Sequence, residues 1–232
     1  MGIDDAEAPA NEVLAQLPPE DWKALHVHAE RVVLPTGATL HRPNDPISTI
    51  YFPDSGVVSI VGTLGSGQDV AIAAVGKEGF VGASALFGAR SPYWMVVHVE
   101  SAGYRLAADI FRRAFHESEA LRRLSIAQLG RLIRVLAQSA VCNRFHSHHQ
   151  RLARWLLVTV DTSGDPLINL THDFIAHMVG GPRHAVTAAL DHLKAAGAID
   201  MTRGRIEVLD AEQLTSEACE CYSSAGPTTS HR

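Results

Sequence analysis

Cysteine is scarce in this chain of 232 residues: there are three, Cys142, Cys219 and Cys221, and none before Cys142. So few, so placed, exclude a disulfide scaffold and make a reducing cytoplasm the expected compartment. Charge is also sparse, at 19% of residues with a formal net of −5. The chain is no polycation, so a nucleic-acid partner would have to meet a local patch. Long hydrophobic runs are missing. The most apolar stretch, residues 57–75, is broken by glycines and carries Asp69, which excludes a membrane span. The opening MGIDDAEAPANEV is acidic and has no apolar core, so no secretory signal and no membrane partner are expected. What is present is ordinary globular material: 46% hydrophobic residues, enough chain for one or two domains.

The average charge conceals an uneven distribution. Residues 1–104 hold 5 Lys/Arg against 12 Asp/Glu, residues 105–155 hold 10 against 3, and residues 156–232 hold 5 against 10. A basic middle between acidic ends marks separate modules and a contact surface in the middle.

Residues 12–30 read as a helix around Pro18-Pro19, with Asp21 in the first turn. From Val32 to Leu106, short β-branched runs (49–52, 57–63, 70–75 and 94–99) alternate with turn residues such as Pro53-Asp54-Ser55-Gly56 and Gly65-Ser66-Gly67. Strands this short and this regularly spaced predict a small antiparallel barrel or roll. From Ala107 the period becomes helical, interrupted only by Gly130. Ile126, Leu129, Leu132, Ile133, Leu136, Ala137 and Ala140 form an apolar stripe, with Arg131, Arg134 and Gln138 opposite. A single-striped helix of about thirty residues packs along a partner, most simply its own symmetry mate. Asn143–His149 reads as a joint, and a second helix over 150–160 follows.

Residues 170–199 carry the functional signal. Thr171 is a good N-cap for a helix over 172–179, and Gly180-Gly181 makes a tight turn. Pro182 then opens a second helix reaching about Ala195, closed by Gly197. Helix, glycine turn, helix is the helix-turn-helix arrangement. On the second helix Val186, Leu190 and Leu193 point to a core, whereas Arg183, His184, Thr187, Ala188 and Asp191 share the outer face. Such a face suits the major groove, where an arginine meets guanine bidentately. Residues 199–208 read as two strands around Arg203-Gly204-Arg205, a wing whose arginines would meet phosphates. Arg144, Arg151 and Arg154 are further candidates for phosphate contact. They matter because residues 167–209 hold 4 Lys/Arg and 4 Asp/Glu, a neutral module.

This order of parts resembles the Crp/Fnr family of bacterial transcription regulators. Its clearest pieces are YFPDSGVVSIV (51–61), VGKEGFVG (75–82), RLARWLL (151–157), the segment 171–199 and the ending ACECY (218–222). The resemblance implies an α+β chain: an N-terminal helix and antiparallel, cyclic-nucleotide-binding-like β-roll over 1–115 and a dimerisation helix over 116–145. A winged helix-turn-helix over 146–222 and a tail over 223–232 complete it. It implies a homodimer on palindromic double-stranded DNA, through Ile126, Leu129, Leu132, Ile133, Leu136 and Ala140, with RNA polymerase as a further partner. Thr171, Arg183, His184, Thr187, Ala188, Arg203 and Arg205 are the implied DNA contacts, Arg183 matching the family's guanine-reading arginine. His184 stands where glutamate is common and Ala188 where a second arginine is common.

The effector pocket would involve Gly82, Ala83, Tyr93 and Trp94. Cyclic-nucleotide-binding members hold the ribose with a Gly-Glu pair and the phosphate with an Arg-Ser pair. Here Ala83 follows Gly82, and Tyr93-Trp94 takes the Arg-Ser place, with Arg90-Ser91 three residues early. A cyclic phosphate buried without a cation is strongly disfavoured, so the roll is expected either to sense another, unidentified small molecule or to have lost sensing. With no cysteine near the N-terminus, an oxygen-sensing iron–sulfur cluster is excluded.

No cofactor, metal site or catalytic constellation is expected. Gly76, Gly79 and Gly82 lack a dinucleotide-binding context, and His26, His28 and Glu30 do not share a helix face. His146, His148 and His149 read first as solvated residues at a helix start, with metal ligation or pH sensing at the joint as the alternative, and His98 reads as a satisfied strand histidine. Cys219-x-Cys221 is too small a set for zinc. Two alternatives to a DNA-binding regulator remain: a small-barrel metal-dependent enzyme, and a protein-interaction module whose helix-turn-helix binds no DNA.

Overall fold

The computed structural model describes residues 9–225 apart from Gln68, Ala89, Thr171 and Arg203; the side chains of His172, Asp173, His177, Ser224 and Ala225 also lie outside the description. Contacts divide the chain into two compact units, residues up to 59 with 75–132, and residues 60–74 with 133 onwards.

The N-terminal part opens with two helices, α1 (Glu12–Ala15) and α2 (Pro19–His26), where one over 12–30 was expected. Pro18-Pro19 separate them, because proline offers no N–H to continue a helix and biases its predecessor toward extended backbone. Asn11 caps α1 from full burial. Its Oδ1 accepts from the Val13 and Leu14 amides, while its Nδ2 donates to the Pro53 and Gly79 carbonyls at 2.7 and 2.8 Å.

Seven strands follow: β1 (Glu30–Leu34), β2 (Thr39–His41), β3 (Thr49–Pro53), β4 (Val57–Thr63), β5 (Asp69–Val75), β6 (Trp94–Val99) and β7 (Ser101–Ala107). They form a three-stranded sheet ordered β1-β7-β3 and a four-stranded sheet ordered β2-β6-β4-β5. β7 lies antiparallel to both its neighbours, with Glu30 opposite Arg105 and Phe52 opposite Tyr104. The four β-branched runs singled out from the sequence became β3 to β6. β1, β2 and β7 were not separately legible; β7 contains Gly103, where a side chain would collide with the Phe52 carbonyl. Phe52, Phe80 and Phe111 meet at centroid distances of 4.9 to 5.8 Å in this core. Burying each contributes roughly 1.5–3 kcal/mol.

The helical region after β7 is broken once more than the sequence suggested, into α3 (Ala108–Glu117) and α4 (Glu119–Phe145). Ser118 between them is extended, at φ −93 and ψ 117. Its hydroxyl accepts from the Leu121 amide at 2.9 Å and donates to Asp21 at 2.5 Å, so it starts α4 as a cap.

The C-terminal part begins with α5 (His148–Ser163), longer than the expected 150–160 because Ser147 and Gln150 form a capping box at its start. β8 (Leu167–Ile168), α6 (His172–Val179), α7 (Arg183–Ala195), β9 (Ile199–Thr202) and β10 (Arg205–Val208) follow. The expected two-stranded wing has a third strand, in the order β8-β10-β9. Helices α8 (Ala211–Glu217), not foreseen, and α9 (Cys221–Ala225) end the described chain. Leu152, Leu156, Ile168, Ile175, Leu190, Leu193, Ile199 and Ile206 form the buried core of this module.

Candidate nucleic-acid interface

The turn between α6 and α7 demands both of its glycines. Gly180 has φ +68, and a Cβ there would lie 2.7 Å from Val70 Cγ2. At Gly181 a Cβ would lie 2.5 Å from the His148 ring. The Arg151 guanidinium donates to the Val179 and Gly180 carbonyls, satisfying the C-terminal end of α6. Burial first, then Arg151 and His184, lower the pKa of His148 from the usual imidazole value.

On α7, whose N-cap is Pro182, the two faces separate as their spacing dictates. Val186, Ala189, Leu190 and Leu193 are buried, whereas Arg183, His184, Thr187, Ala188 and Asp191 are exposed. Gly204, at φ +75, turns β9 into β10, and Arg205 beyond it is exposed. Thr171 and Arg203 lie outside the described residues. Two of the extra phosphate candidates are corrected. Arg151 is half-buried and engaged at the turn, and Arg154 has its Nε enclosed; only Arg144 is exposed, its guanidinium 5.5 Å from the Phe145 ring centroid.

Along α4 the apolar stripe divides. Leu129 packs against the core of the β-roll, and Leu132 and Leu136 are half-buried. Ile126, Gly130, Ile133, Ala137 and Ala140 are all exposed, Ile133 at 66%. Their 4-3-4-3 spacing is that of a coiled-coil seam.

In the roll, Gly82 takes φ +101 and a Cβ there would lie 3.0 Å from the Thr49 carbonyl oxygen, so no side chain fits. Ala83 is buried, Trp94 half-buried and Tyr93 exposed. The early Arg90-Ser91 pair is engaged locally. Arg90 donates to the Asn44 carbonyl, and Ser91 to the Tyr93 carbonyl, each at 2.6 Å. His98 is fully buried, its Nδ1 2.5 Å from Ser59 Oγ, the satisfied strand histidine expected.

Residues 150–217 match the model of the Crp-like helix-turn-helix domain, and residues 31–118 that of the cyclic nucleotide-binding domain. The chain belongs to the Crp/Fnr family of transcriptional regulators. This Crp/Fnr chain is 24% identical to the global nitrogen regulator of Synechococcus elongatus over 191 residues, 78% of this chain and 86% of the relative. Its fold is shared by a crp/fnr regulator from Eubacterium rectale, with a TM-score of 0.70 at 16% identity over 89% of this chain and 97% of the other. The c-di-GMP-responsive global regulator of Xanthomonas campestris aligns with a TM-score of 0.66 at 20% identity, covering 82% and 99% of the two chains. A Crp-family regulator of Thermus thermophilus gives 0.67 at 24% identity over 82% and 96%.

One grouping in this Crp/Fnr chain escaped the sequence reading. Cys219-x-Cys221, judged too small a set for zinc, is joined by Cys142 and His146, the four candidate ligand atoms lying within 4.8 Å of one another. Cys142 lies in the last turn of α4 and His146 directly after its end, its amide donating to the Cys142 carbonyl at 3.1 Å, and that four-residue spacing was the available signal. Desolvation raises the Cys142 thiol, and pushes that of Cys219 up to about 12. A second trio, His149, His192 and Glu217, is more open, with His192 Nε2 2.8 Å from Glu217.

Proposed function

We propose that this transcriptional regulator acts as a homodimer on palindromic double-stranded DNA, laying the outer face of α7 in the major groove. The observation that carries this reading is the division of α7. Arg183, His184, Thr187 and Ala188 stand exposed on one side, while Val186, Leu190 and Leu193 hold the helix from the other. Arg183 reads guanine, the Thr187 and Ala188 methyl groups suit thymine, and His184 supplies a donor or acceptor. Thr171, Arg203 and Arg205 contact phosphates and set the register. The exposed seam on α4 joins the two chains and places two recognition helices about one turn of DNA apart.

The roll takes a small molecule other than cyclic AMP or GMP through Gly82, Ala83, Tyr93 and Trp94. The support is chemical: no carboxylate follows Gly82, and Arg90 and Ser91 are engaged with backbone carbonyls. Effector binding shifts the packing of the long helices and with it the spacing of the α7 pair. The protein works in the cytoplasm on DNA and RNA polymerase and catalyses no reaction. The domain division at 115, 145 and 222 is the functional one in this reading.

Selection of bound fragments from random duplex DNA tests it. A palindrome with half-sites about 10 base pairs apart, bound less tightly as salt rises, is the expected result. Enrichment of no sequence and a flat salt response would instead support the protein-interaction alternative.

A further inference from the structure

Cys142 sits in the last turn of α4 and His146 just past its end, while Cys219 precedes Glu220 in the turn after α8 and Cys221 opens α9. Four side chains from two segments more than seventy residues apart thus converge beside the joint where α4 gives way to α5. All three cysteines are buried, and the His146 side chain is 12% exposed.

We propose that Cys142, His146, Cys219 and Cys221 form a closed, four-coordinate site for a single thiophilic divalent cation, zinc, which fastens the end of the long helix to the C-terminal segment of the DNA-binding module. The distances fit one ion. Tetrahedral zinc, with Zn–S near 2.3 Å and Zn–N near 2.0–2.1 Å, places two sulfurs about 3.8 Å apart and a sulfur and a nitrogen about 3.6 Å apart. Here Cys142 Sγ lies 3.6 Å from Cys219 Sγ, and Cys221 Sγ lies 3.5 Å from His146 Nδ1. An iron–sulfur cube spreads its ligands over separate irons and needs a wider cage than one in which every ligand atom lies within 4.8 Å of the others.

The surroundings are those of a ligand set. Glu220 faces His146 Nε2 at 3.3 Å, which favours the tautomer protonated at Nε2, with Nδ1 toward Cys221 Sγ. A carboxylate behind a histidine is the usual orienting partner of a metal-bound imidazole. The Gln138 amide donates to Cys221 Sγ at 2.9 Å. Arg154, whose Nε is enclosed without a hydrogen-bond partner, lies near Cys142. Three thiolates and a neutral imidazole around Zn²⁺ leave one negative charge, which that guanidinium offsets. Buried cysteines serving only as small apolar residues would need neither the oriented imidazole nor these donors. The soft, nitrogen-containing tetrahedral set selects zinc over magnesium, calcium or manganese.

The test uses the full-length protein purified under reducing conditions, with metal measured by elemental analysis and thiols by titration. About one zinc per chain is expected. Stripping with a chelator should lower the melting temperature, and refilling with Co²⁺ should give the charge-transfer and visible bands of thiolate-bound tetrahedral cobalt. Cys219→Ser, Cys221→Ser and His146→Ala should each lose most of the metal, while Cys142 and Cys219 stay reduced, without a disulfide between them, in the wild type. Because a variant could fail to fold, the stripped and refilled wild type decides. A folded wild type that holds less than a tenth of an equivalent after zinc reconstitution overturns the proposal. So does a Cys142–Cys219 disulfide in its place, or full zinc retention in the folded Cys219→Ser/Cys221→Ser double variant.

Discussion

Asn11 shows how much one side chain decides at the start of this fold. It satisfies two helix amides and two distant carbonyls at once, from a position with no exposure. Asn11→Ala leaves those groups buried and unpaired, and should lower unfolding free energy by about 2–4 kcal/mol in urea titration. His98 acts through what it does not do. Burial holds its imidazole down to about 3 against 6.5 for the free group, so the folded chain keeps it neutral. Between pH 6.5 and 3 the unfolded chain takes up a proton that the folded chain refuses. Stability is therefore full above this window and falls as pH falls through it, by up to about 1.4 kcal/mol per pH unit. His98→Gln should flatten the difference between urea midpoints at pH 7 and pH 5; an unchanged difference would mean another group governs it.

Among the elements, the long periodic or glycine-punctuated ones were legible and the short ones were not. α6 and α7 appear where Gly180-Gly181, Pro182 and Gly197 place them, because cap and turn chemistry is local. α8 went unread: seven residues of mixed polarity give little period, and only the Asp210 cap marks it. The break at Ser118 depends on Asp21, nearly a hundred residues away, which no local pattern reveals. The outer-face residues of the candidate site were readable from spacing alone. The thiol cluster was not, since its two halves meet only through the fold. On α4 the exposed seam is where a partner helix would lie. Ile133→Glu should shift sedimentation from dimer to monomer while the melting temperature of the isolated chain barely moves, the side chain being 66% exposed. Within the DNA-binding module, Leu190→Ala empties a fully buried position and should cost about 2–5 kcal/mol.

At the scale of the whole molecule, a β-roll of the cyclic nucleotide-binding domain type, a long helix and a winged helix-turn-helix are joined in one chain whose net charge is −5. In the proposed reading general electrostatic attraction to DNA is therefore weak, and recognition would fall to the few side chains that α7 presents, repeated by a second copy. The direct measurement is binding of wild type and Arg183→Ala to the selected palindrome and to random duplex, across a salt series. Arg183 is exposed, and equal melting temperatures of wild type and variant are the control that the fold is intact. The account predicts that site preference falls by about 1–3 kcal/mol per half-site while random-duplex affinity and its salt slope change little. Equal weakening on both duplexes, or no weakening on either, would contradict it.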